Sequence, residues 1–381
     1  MIYVVKKPVL IKLLINIFFL LANFFENFFE FKKIENYFLF CTNVSKIGKF
    51  QKIKFPKISI ISPVYNREKY ILRFMMSIQN QIFKEIEIIF IDDCSFDNSS
   101  KVIKELQKKD KRILLINHRK NKGTFISRNV GVFYSSGQYI MLSDPDDILS
   151  QNILKICYNI AKTYNYEMIR FNIYTGNSNI LVNGIIKGLR EKPIYQPQLS
   201  TYLFYGKGKL IQIDFNVSNK FIKKETYIRA LNSLSKYYLN LYLISYEDGI
   251  MNYILYRTAK SFILIKRIGY FYLINNQSIT KNILNIAKQN LNFIFIYLKI
   301  VFEYSKNTQY EKDMANYLLN DLSSNFNITN NLFFFDKDIK FYNDIIYMYM
   351  NCNFITNKNK NILKNFIKIL KNKKLKYEFI N

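Results

Sequence analysis

Between Lys57 and Asp147 the chain alternates two hydrophobic periods, and this alternation restricts the fold more than any other feature. Residues 58–64 form a run rich in β-branched side chains that closes on Ser62-Pro63. With no polar face, such a run suits a strand covered on both sides. Asn66 stands where it can cap a helix, in which Ile71, Phe74, Met75, Ile78 and Ile82 follow an i, i+3, i+4, i+7, i+11 stripe. A second strand is predicted over 86–91, then a helix capped by Asp97 that carries Val102, Ile103 and Leu106. A third strand covers 113–116. A short helix follows from about Ser127 and stops at Gly137, a residue suited to the left-handed C′ position. The fourth strand, 139–142, runs into Ser143-Asp144-Pro145-Asp146-Asp147. Strands alternating with helices predict an α/β fold, a Rossmann-like and mostly parallel sheet sandwiched by helices. Ligands of such sheets bind beyond the carboxyl ends of the strands. The polar clusters follow strand ends: Tyr65-Asn66 after the first, Asp92-Asp93 after the second and Asp144 to Asp147 after the fourth. Parallel strands bring all three to one edge.

The residues available for chemistry at that edge are few. His118 is the single histidine, which excludes His-rich zinc or copper sites. Cys41, Cys94, Cys157 and Cys352 stand far apart without a C-x-x-C pair, so neither a zinc ribbon nor a disulfide framework is indicated. Metal or acid–base chemistry therefore falls to carboxylates. Asp144, Asp146 and Asp147 place three of them in four residues, in a chain with only 28 acidic residues. An Asp-x-Asp after a buried strand suits Mn²⁺ or Mg²⁺, which accepts a few carboxylates and keeps positions open for phosphate oxygens. The plainer alternative is a solvated turn that caps the next helix. Asp92-Asp93 can accept a hydrogen bond from a nucleobase N–H, or cap a helix. Glu247-Asp248 opens an apolar helical run, as a general base or as acids placed well at a helix N-terminus. Arg128-Asn129 begins a helix after Asn121-Lys122-Gly123-Thr124, a diphosphate-binding arrangement or a basic surface loop.

The ends of the chain differ from its middle. Residues 1–56 form a hydrophobic arm in which Lys6 and Lys7 precede an apolar stretch over 8–25, whose longest uncharged run is 13 residues. A spanning helix takes about 20 apolar residues, so a membrane anchor, an interfacial helix and a helix packed on the catalytic body all remain open. The preceding lysines favour a cytoplasmic N-terminus. The expectation is a membrane-associated protein on the cytoplasmic face, or on the lumenal side if the segment spans. Residues 175–200 read as an irregular insertion, 219–223 as a strand, and 261–274 as one or two strands. From residue 282 the pattern is helical, so the chain divides into the arm (1–56), a central domain (57–280) and a basic helical region (281–381). Eight lysines and no acid lie between Lys358 and Lys376, around Ile362, Leu363, Phe366, Ile367 and Leu370 at helical spacing. That helix suits either an anionic membrane surface or a core with a solvated lysine face. The net charge of +28 and 17% aromatic content suit a nucleic-acid binder. No RNA- or DNA-binding motif appears, however, and the acidic clusters repel phosphate, so no nucleic acid is expected as partner.

Taken in order, the segments resemble family-two glycosyltransferases of the GT-A fold. They are Ile60-Ile61-Ser62-Pro63-Val64-Tyr65-Asn66-Arg67, Ile91-Asp92-Asp93-Cys94-Ser95-Phe96-Asp97-Asn98-Ser99, Asn121-Lys122-Gly123, Ser127-Arg128-Asn129-Val130-Gly131 and Leu142-Ser143-Asp144-Pro145-Asp146-Asp147. Ser218-Asn219-Lys220-Phe221, Tyr246-Glu247-Asp248, Tyr272-Leu273-Ile274 and Ser278-Ile279-Thr280 follow. The resemblance covers residues 57–280. It implies inverting transfer of a sugar from a nucleotide sugar, most often a UDP-sugar, to a hydroxyl of a glycan or glycolipid. A catalytically inactive relative serving as a membrane scaffold is the alternative. Carried over, Pro63, Tyr65, Asn66 and Asp93, with Asp92, hold the uridine, and Arg128 lies near the nucleotide or diphosphate. Asp144 and Asp146 hold Mn²⁺ or Mg²⁺, with Asp146 the more direct ligand and Asp144 also near the nucleotide. Asp248 is the base, with Glu247 as the other assignment. Cys94 stands where such proteins usually carry Gly, and Pro145 is unusual within the Asp-x-Asp.

Overall fold

The structure is a computed structural model. It describes residues 44–47, 56–177, 180–182, 193–196, 205–206, 209–210, 216–243, 246–273, 283–304, 309–328, 339–353 and 355–378. The apolar stretch at 8–25, much of the 175–200 insertion, Ile274 and Ser278 to Thr280 lie outside the described residues.

The alternating pattern folds as a layered sheet. β1 (Val44–Ile47) pairs antiparallel with β4 (Ile113–His118) at one edge. β2 (Ile58–Val64), β3 (Ile86–Asp92), β4 and β5 (Tyr139–Leu142) are parallel, in the order β4-β3-β2-β5. Beyond β5 the sheet is mixed. β12 (Lys220–Lys223) enters antiparallel between β5 and β7 (Met168–Asn177). β13 (Ser261–Leu273) then pairs parallel with β7 and antiparallel with β6 (Ile148–Leu149). The 261–273 segment is one strand, with register shifts between Leu264 and Ile268 and between Ile268 and Tyr270. Short strands β8 (Ile180–Val182) and β9 (Ile194–Tyr195) attach to β7 and β13, and β10 (Tyr205–Gly206) pairs with β11 (Lys209–Leu210) apart from the sheet.

Side chains of successive strand residues point to opposite faces, and the core divides accordingly. Ile60, Ile88 and Phe90 pack under α1 (Glu68–Gln79), α2 (Ser99–Lys109) and α4 (Ile153–Tyr164). Ile61, Ile89 and Ile91 pack under α3 (Thr124–Tyr134), α5 (Lys224–Ser233) and α7 (Glu247–Thr258), with the short α6 (Lys236–Leu239) alongside. Ile71, Phe74, Met75 and Ile78 form the buried stripe of α1, whereas Ile82 lies past the end of the helix and is exposed.

Three local expectations are corrected. Arg67, not Asn66, occupies the N-cap of α1. Asn66 adopts a left-handed φ of 53° and its Oδ1 accepts Phe96 N–H at 2.9 Å, which ties the end of β2 to the turn after β3. Asp97 caps more than its own helix: Oδ1 accepts Ser99 N–H (2.9 Å) and Oδ2 accepts Glu68 N–H (3.1 Å), so one carboxylate satisfies both α1 and α2. α3 ends at Tyr134, and Gly137 is not left-handed. Its lack of a side chain instead lets the chain pass β2, where a Cβ would lie 2.7 Å from Ser59 N.

Four helices follow the sheet: α8 (Ile283–Glu303), α9 (Gln309–Ile328), α10 (Ile339–Met350) and α11 (Asn357–Glu378). Their buried residues, among them Phe295, Leu298, Leu318, Ile346 and Phe366, join the same hydrophobic cluster as Ile250 and Ile254 of α7. Tyr297 Oη donates to Gly249 O at 2.8 Å, and Tyr253 Oη to Glu311 Oε1 at 3.1 Å. The basic helical region therefore braces α7. In α11, Leu363 and Phe366 are buried while Lys358, Lys364 and Lys368 are exposed, so the core takes the apolar face and solvent the lysines. No helix among the described residues is long and apolar enough to cross a membrane.

Gly131 sets how closely α3 approaches β2. A Cβ there would lie 2.3 Å from Ile61 Cγ2 and 2.7 Å from Ile91 Cδ1. Alanine normally favours a helix interior over glycine by about 1 kcal/mol. Here the opposite sign is expected: Gly131→Ala should destabilise by about 1–3 kcal/mol through overpacking, read as a lower urea midpoint.

Candidate active site

The three polar clusters meet at the carboxyl edge of β2, β3 and β5, around a cleft of about 450 Å³. Asp93, just past β3, is buried and heavily bonded. Its Oδ1 accepts His118 Nδ1–H at 2.7 Å and Lys122 N–H at 2.8 Å, and its Oδ2 accepts Gly123 N–H at 2.8 Å. The lone histidine thus orients Asp93, and Asp93 holds the loop that enters α3 through Gly123, at φ 85°. Asp92 is buried and does not line the cleft; burial pushes its carboxyl upward against hydrogen bonds from Ser95. Cys94 adopts φ 65°, the conformation glycine takes freely, so the turn keeps its shape at a backbone cost. Tyr65 and Tyr242 both line the cleft and are partly exposed. Burial, then the nearby Asp93 and Tyr65, pushes the Tyr242 phenol upward, which places this ring beside the Asp93 end of the cleft.

The 144–147 turn is fixed from below. Tyr270 Oη, on β13, accepts Asp144 N–H at 3.0 Å. Asp147 is buried and its Oδ1 accepts Leu273 N–H at 3.0 Å. Burial, reinforced by Asp144 and Asp146, raises the Asp147 carboxyl well above the usual range, so Asp147 supports the turn from inside. Asp144 and Asp146 face the cleft. Asp144 Oδ1 accepts Arg128 Nη2–H at 2.9 Å and its Oδ2 accepts Ser218 Oγ–H at 3.4 Å. Asp146 Oδ2 pairs with Arg67 Nε at 3.3 Å, and its main-chain O accepts Arg73 Nη2–H at 2.8 Å.

Arg128 is the junction of the site. Besides Asp144, its Nη1 donates to Asp248 Oδ1 and to Glu247 Oε1, the latter at 3.4 Å. Burial alone would weaken its charge, but Asp248, Asp144 and Glu247 outweigh it and hold the guanidinium protonated well above its usual range. Asp248 is anchored further by Val217 N–H, 3.3 Å from its Oδ2. Burial, followed by the charge of Asp248, pushes Glu247 up to about 8, with Arg128 opposing. Asp248 is raised as well, by burial first and Asp144 after, again against Arg128. Tyr246, the N-cap of α7, holds a left-handed φ of 61° just before this pair.

Of the residues singled out from sequence, Pro63, Tyr65, Asn66, Asp93, Arg128, Asp144, Asp146 and Glu247 line the cleft. Asp92 and Asp248 do not; Asp248 reaches the site through Arg128. Arg128 was expected beside the diphosphate, yet its two Nη groups are given to carboxylates. Sequence reasoning missed Arg67, Tyr242, Tyr270, Tyr272 and the orienting role of His118. Arg67 stood inside a motif already recognised, next to Tyr65 and Asn66. Tyr270 bonds to a residue 126 positions away and left no local signal.

The residues fit a hard divalent cation in one specific way. Among the described residues no group of three or more His, Cys, Asp or Glu could hold a metal ion. Asp144 and Asp146 offer two carboxylates on one braced turn at an open cleft, which suits Mg²⁺ or Mn²⁺ completed by phosphate oxygens and water.

Residues 59–217 match the family model described as glycosyl transferase family 2. This stretch is similar to a family 2 glycosyltransferase domain. The chain is 27% identical over 178 residues to the glycosyltransferase GlyG of Streptococcus pneumoniae, covering 45% of this chain and 58% of that protein. Over 100 residues it is 39% identical to the GalNAc(5)-diNAcBac-PP-undecaprenol beta-1,3-glucosyltransferase of Campylobacter jejuni, covering 26% and 32%. The chain thus spans less than two thirds of these relatives' own length. Among solved structures, S. aureus TarS 1–349 superposes with a TM-score of 0.55 at 16% identity, covering 76% of this chain and 80% of that one. The same protein in complex with UDP-GlcNAc gives 0.55 at 15%, covering 80% and 83%. These likenesses show the shared GT-A fold.

The raised Glu247 carboxyl has a consequence for stability. Its folded-state value of about 8 exceeds the ordinary 4.5, so the folded state binds this proton more tightly than the unfolded chain. Stability attributable to Glu247 therefore falls as pH rises from about 4.5 through about 8 and is flat outside that window. Urea midpoints at pH 5 and pH 8.5 should drop less in Glu247→Gln than in the wild type.

Proposed function

We propose that this cleft transfers a sugar, with inversion, from a UDP-sugar to a hydroxyl of a glycan or glycolipid acceptor. The observation that carries the reading is the meeting of three chemistries at one sheet edge: an aromatic and acidic pocket at Tyr65 and Asp93, a carboxylate turn at Asp144 and Asp146, and an acid pair at Glu247 and Asp248. TarS structures in complex with UDP and with UDP-GlcNAc support a uridine donor on this fold. The undecaprenol-linked substrate in the name of the C. jejuni relative supports a lipid-linked acceptor and work at a membrane surface.

In this reading Tyr65 stacks on the uracil, Asp93 accepts its ring N–H, and Pro63 and Asn66 shape the floor beneath. Asp92 holds the turn from behind. Asp144 and Asp146 hold Mn²⁺ or Mg²⁺, which when bound neutralises charge on the leaving diphosphate. Asp248 takes the proton of the attacking hydroxyl while Arg128 fixes its orientation. A second assignment, Glu247 as base, is favoured by its place in the cleft wall and by an affinity for protons near working pH. Arg128 joins Asp248, the base in this reading, to Asp144 of the carboxylate turn, which supports the two acting side by side.

The test is a thermal-shift screen of UDP-sugars with and without Mn²⁺, followed by UDP release. One UDP-sugar should raise the melting temperature by ligand linkage, and Asp146→Ala should abolish release while the protein stays folded. No stabilisation by any UDP-sugar, with any divalent ion, would sink the reading.

A further inference from the structure

Both carboxylates of the 144–146 turn carry a guanidinium, and the two guanidiniums differ in kind. Arg128 is buried and shared among Asp144, Glu247 and Asp248. Arg67 approaches from the opposite wall, at the start of α1, and itself lines the cleft. Its side chain is 17% exposed, and among the described residues it lies within ion-pair distance of one carboxylate, that of Asp146. The remaining bonds of this guanidinium are neutral: Nη1 donates to Asn66 O at 3.1 Å and to Tyr65 O at 3.3 Å. Nor does the turn depend on Arg67 for its shape. Arg73 holds the Asp146 carbonyl at 2.8 Å, and Tyr270 holds Asp144 N–H at 3.0 Å.

Resting on the nucleotide-sugar reading above, we propose that Arg67 is a built-in counter-ion of Asp146 that a divalent cation must displace, and that the displaced guanidinium turns to the donor's phosphates. A cation on Asp146 and a guanidinium on the same carboxylate compete for its lone pairs and repel each other. Binding the ion therefore releases a positive charge into the cleft. A nucleoside diphosphate gives that charge a destination, since arginine matches phosphate oxygens with a planar fork. Metal and nucleotide then bind with positive coupling, and the coupling is reciprocal. Arg67 in this role is a positioning residue: it guards the turn against an ion bound without donor and hands the donor its charge once both are present.

Mn²⁺ binding followed by the electron paramagnetic resonance of the free ion, with and without UDP, tests this directly. Without UDP, Arg67→Gln should bind Mn²⁺ about two- to fivefold more tightly than the wild type, the range set by one part-exposed ion pair. UDP should strengthen Mn²⁺ binding in the wild type and do so less in Arg67→Gln. Arg67→Lys, which keeps the charge, should stay near the wild type. Arg67→Met keeps the aliphatic stem and serves as the neutral variant if the glutamine form does not fold. Equal or weaker Mn²⁺ binding in the neutral variants, or an unchanged effect of UDP, would overturn the proposal. UDP binding by the wild type separates the two readings. If UDP binds and Arg67 has no effect on Mn²⁺, only the counter-ion role fails; if UDP does not bind at all, the nucleotide-sugar reading fails with it.

Discussion

Arg128 carries its charge in the interior, and the site is arranged around satisfying it. Three carboxylates converge on one guanidinium from positions 16, 119 and 120 residues away. Without it, Asp144, Glu247 and Asp248 would face one another in a medium that screens poorly, and a buried charge left without its partner is strongly destabilising. The ion cluster therefore demands that α3, the end of β5 and the start of α7 stay in register. Gly131 lets α3 lie close on β2, Tyr270 fixes the β5 turn, and the C-terminal helices hold α7 through Tyr297 and Gly249. Helices remote in sequence from any motif thus serve the chemistry by holding an acid pair still.

The same arrangement separates what the sequence made legible from what it did not. Strand–helix alternation placed β2 to β5 and α1 to α3 because hydrophobic period is a local property. It also brought the Tyr65, Asp93 and Asp144–Asp146 clusters to one edge, since parallel strands put their carboxyl ends together. The Asn66 cap failed because its partner was distant, Phe96, whereas Asp97 bonds the start of its own helix as expected and also one that begins 29 residues before it. The antiparallel entry of β12, the Tyr270–Asp144 bond and the Arg67–Asp146 pair were not legible, because each depends on a contact made only after the sheet has formed. Arg128 was recognised as a site residue, but its surroundings were not. A positive side chain at a helix start suggests an anion from outside, while the structure supplies the anions from within.

The large positive net charge acquires a narrower meaning. At α11, Lys358, Lys364 and Lys368 face solvent around the buried Leu363 and Phe366. At the cleft, positive charge is placed residue by residue against scarce carboxylates: Arg128 is the more buried of the two guanidiniums and Arg67 the more exposed, which is why Arg128 is proposed as the fixed clamp and Arg67 as the exchangeable one.

A crystal structure with UDP and Mn²⁺ bound tests the arrangement most directly. The expected density places the uracil against Tyr65 and Asp93 and the diphosphate between Arg67 and the Asp144–Asp146 turn, with Arg128 still joined to Asp144, Glu247 and Asp248. UDP seated elsewhere, or Arg128 withdrawn from its carboxylates to hold the diphosphate, would contradict it.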